Sequence, residues 1–291
     1  MDGRNARGVR DDARPRFSAR FRGRRGGAAQ GEALTTLRLT VEYDGTEFSG
    51  FQWQPEMRTV AGVLEGALGQ LLGEPVKVTG AGRTDAGVHA TGQVVSLSTE
   101  SAFPFERLLV ALHGLLPHDL SVREAACVPE GFSARFSARE RTYVYAILNR
   151  PGRSALLARY TAHVAPVLDL DAMREAAAYL IGEHDFRSFV TAGPEDRTLR
   201  RLTQLEIEPG GELIRVEVRA DGFLHHMVRT IVGTLVECGT GRRTPGSLPA
   251  VLAACDRRSA GQTAPPQGLY LAGVRYAGSY DSFAEPPILR T

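Results

Sequence analysis

Gly80-Ala81-Gly82-Arg83-Thr84-Asp85-Ala86-Gly87-Val88-His89-Ala90 packs three glycines, one Arg, one Asp and one His into eleven residues, and its flanks decide the fold class. A short β-branched run over 76–79 precedes it. A glycine pair after a strand marks a dinucleotide-binding fold only when a helix follows. Here Gly87 falls too late to be the third glycine, and the run over 93–98 is another strand. Strand–loop–strand context removes the dinucleotide reading. No Walker A sequence occurs in the 291 residues.

Outward from this loop, the periodicity is regular. Leu37, Leu39, Val41 and Tyr43 alternate, as a half-buried strand does. Val60, Val63, Leu64, Ala67, Leu68, Leu71 and Leu72 recur at helical spacing, with Thr59 as N-cap and Gly73 as the closing residue. Pro104 opens a second helix over 105–116, and 120–126 alternates again. The order is βαββαβ. It repeats in the second half, with a strand over 141–148 and a helix marked by Met173, Ala176, Ala177, Leu180 and Ile181. Strands over 202–208 and 213–219 flank a hairpin at Pro209-Gly210-Gly211. A helix from Met227 to Val236, closed by Gly239, and a strand over 269–276 complete the unit. The expected class is α+β, with two RRM-like or ferredoxin-like halves, 33–138 and 139–283, and helices on one face. A site would lie in the cleft between them.

Residues 1–32 carry no hydrophobic period and are expected to be a disordered Arg-rich tail; 284–291 form a short C-terminal tail. The net charge of +2 is unevenly spread: residues 1–30 hold +6, so the other 261 sum to −4. Of the 35 basic residues, 34 are Arg, and Lys77 is the one Lys. That weakens readings that need a catalytic lysine. Cys127, Cys238 and Cys255 are far apart and odd in number, which fits a reducing cytoplasm. No apolar run approaches the ~20 residues that span a bilayer, and no apolar stretch follows the N-terminal arginines as in a secretory signal.

Asp85 is presented by a glycine-rich turn two residues from Arg83. An Arg beside a carboxylate favours its ionised form, which can act as nucleophile or base. An Asp in such a turn also commonly bonds its own backbone, and the residues alone leave both readings open. His225-His226 lack a spaced His/Cys set, so a helix-end structural role is expected rather than metal binding. His184-Asp185 fits a helix-exit turn. Aromatic and basic residues interleave at Phe48, Phe51 and Trp53, and from Arg135 and Phe136 through Arg139, Arg141, Tyr143 and Tyr145. Such a mixture suits unstacked bases and a phosphate backbone, although alternation buries some of the rings. Arg229 lies on an apolar helix and needs a carboxylate partner.

The run Gly82-Arg83-Thr84-Asp85-Ala86-Gly87-Val88-His89-Ala90 has ordered companions along the chain. They are Tyr43-Asp44-Gly45-Thr46 with Phe48 and Gly50, then Arg135-Phe136-Ser137-Ala138 and Arg141-x-Tyr143-x-Tyr145. Gly182-x-His184-Asp185-Phe186, Gly222-Phe223-Leu224-His225-His226-Met227-Val228-Arg229 and Gly239-x-Gly241 follow. In this series, over about 36–282, the chain resembles the TruA family of tRNA pseudouridine synthases. The resemblance implies a mixed, largely antiparallel central sheet of the pseudouridine synthase fold. It implies a homodimer acting on tRNA, with uridine isomerised at positions 38, 39 and 40 of the anticodon stem and loop. No metal or organic cofactor is implied.

Asp85 matches the catalytic aspartate, which attacks or assists at the ribose C1′, and Arg229 matches its arginine partner. Tyr143 matches the tyrosine that stacks on the target base; Arg83, Thr84 and His89 are implied substrate contacts. Phe51 stands where the family usually has Trp, and His113 where Asn is expected, which puts one local hydrogen bond in question. A non-catalytic RNA-binding protein on the same scaffold is the competing class, and the two differ at Asp85.

Overall fold

Alternation at Leu37, Leu39, Val41 and Tyr43 produces β1 (Thr35–Tyr43), and all four side chains are buried. The strand is covered on both faces rather than half-buried, because Thr36, Arg38 and Thr40 are buried too. Distant segments cover that second face. Arg38 donates to the Asp281 carbonyl at 3.3 Å, and Ala134 N donates to Ser96 Oγ, beside Arg38 on the neighbouring strand, at 2.9 Å. The computed structural model describes residues 34–191, 197–278 and 280–290. The expected disordered tail over 1–32 lies outside the described residues.

α1 (Val60–Leu72) starts where Thr59 accepts the Gly62 N–H and ends at Gly73, whose φ of 75° suits a residue without Cβ. The strand expected over 76–79 is only β2 (Thr79–Gly80). Its predecessor cannot join the ladder fully, because the Val78 N–H is taken by Glu65 Oε1 at 3.0 Å. β3 (His89–Thr99) follows the glycine-rich loop and starts earlier than the alternation suggested. A 3₁₀ turn, Phe105–Arg107, replaces the first turn of the expected second helix, α2 (Leu108–Leu115). His113 bonds the Val122 carbonyl at 2.9 Å, so α2 is tied to β4 (Leu120–Val128) despite the departure at that position.

The second half runs β5 (Glu140–Asn149), β6 (Ala162–Val164), α3 (Leu170–Ala178), β7 (Gly182–Asp185), β8 (Leu199–Gly210) and β9 (Leu213–Ala220). α4 (Met227–Gly239), α5 (Leu248–Ala254), β10 (Leu269–Arg275) and β11 (Ser282–Phe283) complete it. His184-Asp185 belongs to the edge strand β7 and not to a helix-exit turn. Gly239 is the last residue of α4, as expected. It is buried against Met173 and Leu168, and Gly241, at φ 73°, takes the left-handed position beyond the helix.

The described strands form one sheet in the order β4-β1-β3-β10-β5-β9-β8-β7, with β2 on β3, β6 on β5 and β11 on β10. Pairing is antiparallel except for β3 with β10 and β5 with β6, so the sheet is mixed and largely antiparallel. Tyr43, Ala90, Leu271, Tyr143 and Val218 are successive register partners from β1 to β9, a row across the middle of the sheet. Residues 284–290, expected to be a tail, are tied to the sheet: Ala284 N donates to the Ala272 carbonyl at 2.9 Å and Glu285 accepts from Arg215 at 2.8 Å.

One glycine fixes α4 against the segment before β10. A Cβ on Gly233 would lie 1.7 Å from the Gln262 carbonyl oxygen. Gly233→Ala must push that segment away, and overpacking of this kind costs about 1–3 kcal/mol. The expected result is a lowered thermal midpoint; an unchanged melt would contradict the contact.

Candidate active site

The loop between β2 and β3 is held at nearly every residue. Gln93 donates to the Gly82 carbonyl at 2.7 Å and accepts from Gly82 N at 3.3 Å. Phe51 N donates to the Thr84 carbonyl at 3.0 Å, and Arg141 Nε donates to the Ala81 carbonyl at 3.2 Å. Gly50 sits at φ 92°, and a Cβ there would be 2.9 Å from the Thr84 carbonyl oxygen. These constraints preorganise Asp85 at the loop tip.

Asp85 projects into a cleft of about 730 Å³ that is also lined by Arg83, Arg135, Tyr143, Phe223 and Arg229. Arg229 is the third residue of α4, and its Nη1 donates to Asp85 Oδ2 at 3.0 Å. Its Nε donates to the Ala264 carbonyl at 2.8 Å, so the guanidinium is fixed at both ends. The side chains of Arg229 and Asp85 are 13% and 24% exposed, so the pair is sheltered while the carboxylate stays reachable. The partner expected for Arg229 is therefore Asp85, across 144 residues of chain.

Tyr143 stands in the middle of the sheet row and lines the cleft. Its ring meets Phe223 edge-to-face at 5.0 Å, and its hydroxyl lies 3.5 Å from the Arg83 carbonyl. Burial pushes the phenol far above its ordinary value, so it stays protonated. Phe223, less buried than Tyr143, offers a second ring at the same place. Arg83 is exposed on the cleft, with no hydrogen bond or ion pair to its guanidinium among the described residues.

Two of the expected substrate contacts, Thr84 and His89, make hydrogen bonds within the protein. Thr84 borders the cleft, but its hydroxyl is bonded to Tyr43 at 2.8 Å and the residue is buried. His89 does not line the cleft. Strand alternation is the reason: Ala90 shares the row of Tyr143, so His89 points to the opposite face. There its Nδ1 accepts from Gly45 N at 3.0 Å, its Nε2 donates to the Arg159 carbonyl at 2.9 Å, and the ring stacks on Tyr270 at 4.8 Å. Burial holds its pKa below the usual histidine value, against the opposing pull of Asp44, so the neutral ring fits this bonding. Arg141 is also spent on structure, with its guanidinium donating to the Ala81, Ala138, Asp221 and Arg135 carbonyls. Arg139 is exposed outside the cleft lining.

The histidine pair at the start of α4 also lies beside Asp85. His226 Nε2 lies 3.3 Å from Asp85 Oδ2, and His225 Nε2 lies 3.8 Å from Oδ1. The rings stack at 3.8 Å, and Thr191 Oγ1 contacts Nδ1 of both. Asp85, His225 and His226 bring three ligand-type atoms within 4.8 Å, the one such group among the described residues. The Arg229 guanidinium already supplies positive charge to this carboxylate. Doubled histidines at a helix entry without Ser, Thr, Asp or Asn as cap were the available signal in the sequence.

A family model described as tRNA pseudouridine synthase matches residues 39–137 and 176–277, which defines the class as an isomerase of uridine. The first segment carries the Asp85 loop and the second carries Arg229, while Tyr143 falls between them. A protein of Brevibacillus brevis named tRNA pseudouridine synthase A is 47% identical over 245 residues, covering 84% of this chain and 100% of its own length. Proteins of the same name from Moorella thermoacetica and Caldicellulosiruptor saccharolyticus are 47% and 43% identical, with the same coverage. The chain belongs to the tRNA pseudouridine synthase A family.

Proposed function

We propose that this chain isomerises uridine to pseudouridine at positions 38, 39 and 40 of the anticodon stem and loop of tRNA, with Asp85 as nucleophile. The observation that carries the reading is the Asp85 carboxylate, held at 3.0 Å by Arg229 in a cleft that also presents aromatic rings and Arg83, whose guanidinium has no ion pair among the described residues. The target nucleotide leaves its stack at a cost of a few kcal/mol, partly offset by contact with Tyr143 and Phe223. Asp85 attacks the ribose C1′, and the bond from C1′ to N1 breaks. The uracil turns, C5 bonds to C1′ as the aspartate leaves, N1 gains a proton and C5 loses one. Atoms balance without any co-reactant. Arg83 and Arg135, exposed on the cleft, supply phosphate contacts. The enzyme acts in the cytoplasm as a homodimer, a placement that its free cysteines Cys127, Cys238 and Cys255 suit.

The test uses tRNA transcripts with uridine tritiated at C5. Rearrangement releases the label. Release is expected from transcripts whose labelled uridines stand at 38, 39 or 40, and not when cytidine replaces them. No release from any transcript would leave an RNA-binding protein without this activity, and release from other positions would overturn the assignment to the anticodon arm.

A further inference from the structure

His226 breaks two local rules at the point where it faces the reactive carboxylate. It is the N-cap of α4, yet its side chain makes no cap hydrogen bond. Its backbone is left-handed, at φ 61° and ψ 5°, although it is not glycine. Ser, Thr, Asp or Asn would normally stand at such a cap. The ring turns instead to Asp85, with Nε2 at 3.3 Å from Oδ2. Departures from local preference concentrate where function requires them.

One allocation of protons satisfies the cluster. His225 Nδ1–H donates to Thr191 Oγ1 at 3.3 Å, and the Thr191 hydroxyl donates to His226 Nδ1. A neutral imidazole carries one donor and one acceptor, so the His226 proton is then on Nε2, the nitrogen that lies 3.3 Å from Asp85 Oδ2. The mirror-image allocation would set the His226 lone pair 3.3 Å from Oδ2, whereas this one sets only the His225 lone pair toward the carboxylate, at 3.8 Å from Oδ1. Burial keeps His226 below the usual histidine pKa; Asp85 opposes that shift, while His225, Arg229 and Arg257 reinforce it. These are the charged and titratable groups that face the ring. His225 Nε2, at 3.8 Å, is too far from Oδ1 to hydrogen-bond it.

We propose that His226 is a positioning residue: its Nε2–H and the Arg229 guanidinium together hold Oδ2, which leaves Oδ1 as the oxygen that meets the ribose C1′. The inference rests on Asp85 as nucleophile. Thr191 sets the tautomer, and the left-handed turn at the start of α4 sets the aim.

The test measures kcat and KM on tRNA transcripts for His226→Ala, His226→Gln, Thr191→Val and Asp85→Asn. A glutamine amide carries an N–H near the place of Nε2. His226→Ala is expected to lower kcat about 10- to 100-fold at unchanged KM, the scale of a hydrogen bond to a charged group. His226→Gln recovers most of that loss, and Thr191→Val, which frees the ring to change tautomer, falls between. A kcat within about two-fold of wild type for His226→Ala would overturn the proposal. So would a glutamine variant no better than alanine, or a raised KM at full kcat, which would make His226 an RNA contact. If the alanine variant fails to fold, a wild-type kcat in Thr191→Val overturns it. Turnover by Asp85→Asn would remove the underlying reading of Asp85 instead, so the two failures are distinct.

Discussion

Asp85→Asn is expected to abolish pseudouridine formation while leaving tRNA affinity within a few-fold. The amide fills the carboxylate's volume, and its oxygen can still accept from Arg229, now 3.0 Å from Oδ2. The loop should therefore stay in place, since its clamps at Gly82 and Thr84 do not involve the Asp85 side chain. An amide oxygen cannot open a route through C1′ by displacing uracil at a useful rate. Loss of a nucleophile typically removes at least about ten-thousand-fold in kcat. RNA affinity comes chiefly from phosphate contacts, the role proposed for Arg83 and Arg135 of the cleft, and these carry no dependence on the Asp85 charge. Tritium release in single turnover, with tRNA binding measured in parallel, checks both halves. Activity within ten-fold of wild type, or a collapse of binding along with turnover, would contradict the assignment of Asp85 as the reacting group.

The long elements were legible because each buries a face whose period the sequence displays. α1 is the clearest case, with its apolar residues at three- and four-residue spacing and its caps at Thr59 and Gly73. β6 and β7, of three and four residues, were not, since so few positions establish no period. Nothing local to β1 announces that Arg38 and Thr40 are buried, because the chain that covers them comes from residues as distant as Asp281. At the site, Asp85 stood out through its glycine-rich setting, and Arg229 through its place on an apolar helix. The burial of His89 away from the cleft was not legible, because membership of a motif says nothing about which face of a strand a residue occupies; its pairing with Tyr270 decides that. The closeness of His226 to Asp85 was not legible, because it depends on a left-handed turn that no residue type at that position advertises.

Arg229→Ala is expected to lower kcat about 10- to 100-fold, because two bonds fail together. The carboxylate loses the donor at 3.0 Å, and the Ala264 carbonyl loses the one at 2.8 Å. Removing one partner of a fully buried pair costs about 3–5 kcal/mol, but Asp85 is 24% exposed, so water enters and the stability loss is smaller. The catalytic loss does not share that discount. Water that replaces the guanidinium solvates Oδ2 without fixing its direction, and a nucleophile that wanders by about 1 Å can lose about a hundred-fold in rate. Arg229→Lys separates charge from geometry. Its ammonium restores a positive group near Asp85 but cannot reproduce the fork that reaches both Oδ2 and the Ala264 carbonyl. The expected order of kcat is therefore wild type, lysine variant, alanine variant, with tRNA affinity little changed, because Arg229 is 13% exposed and spent on protein partners. Measured kcat and tRNA dissociation constants decide it. Equal kcat for the lysine variant and wild type would show that charge alone suffices, and weakened binding at full kcat would move Arg229 from the carboxylate to the RNA.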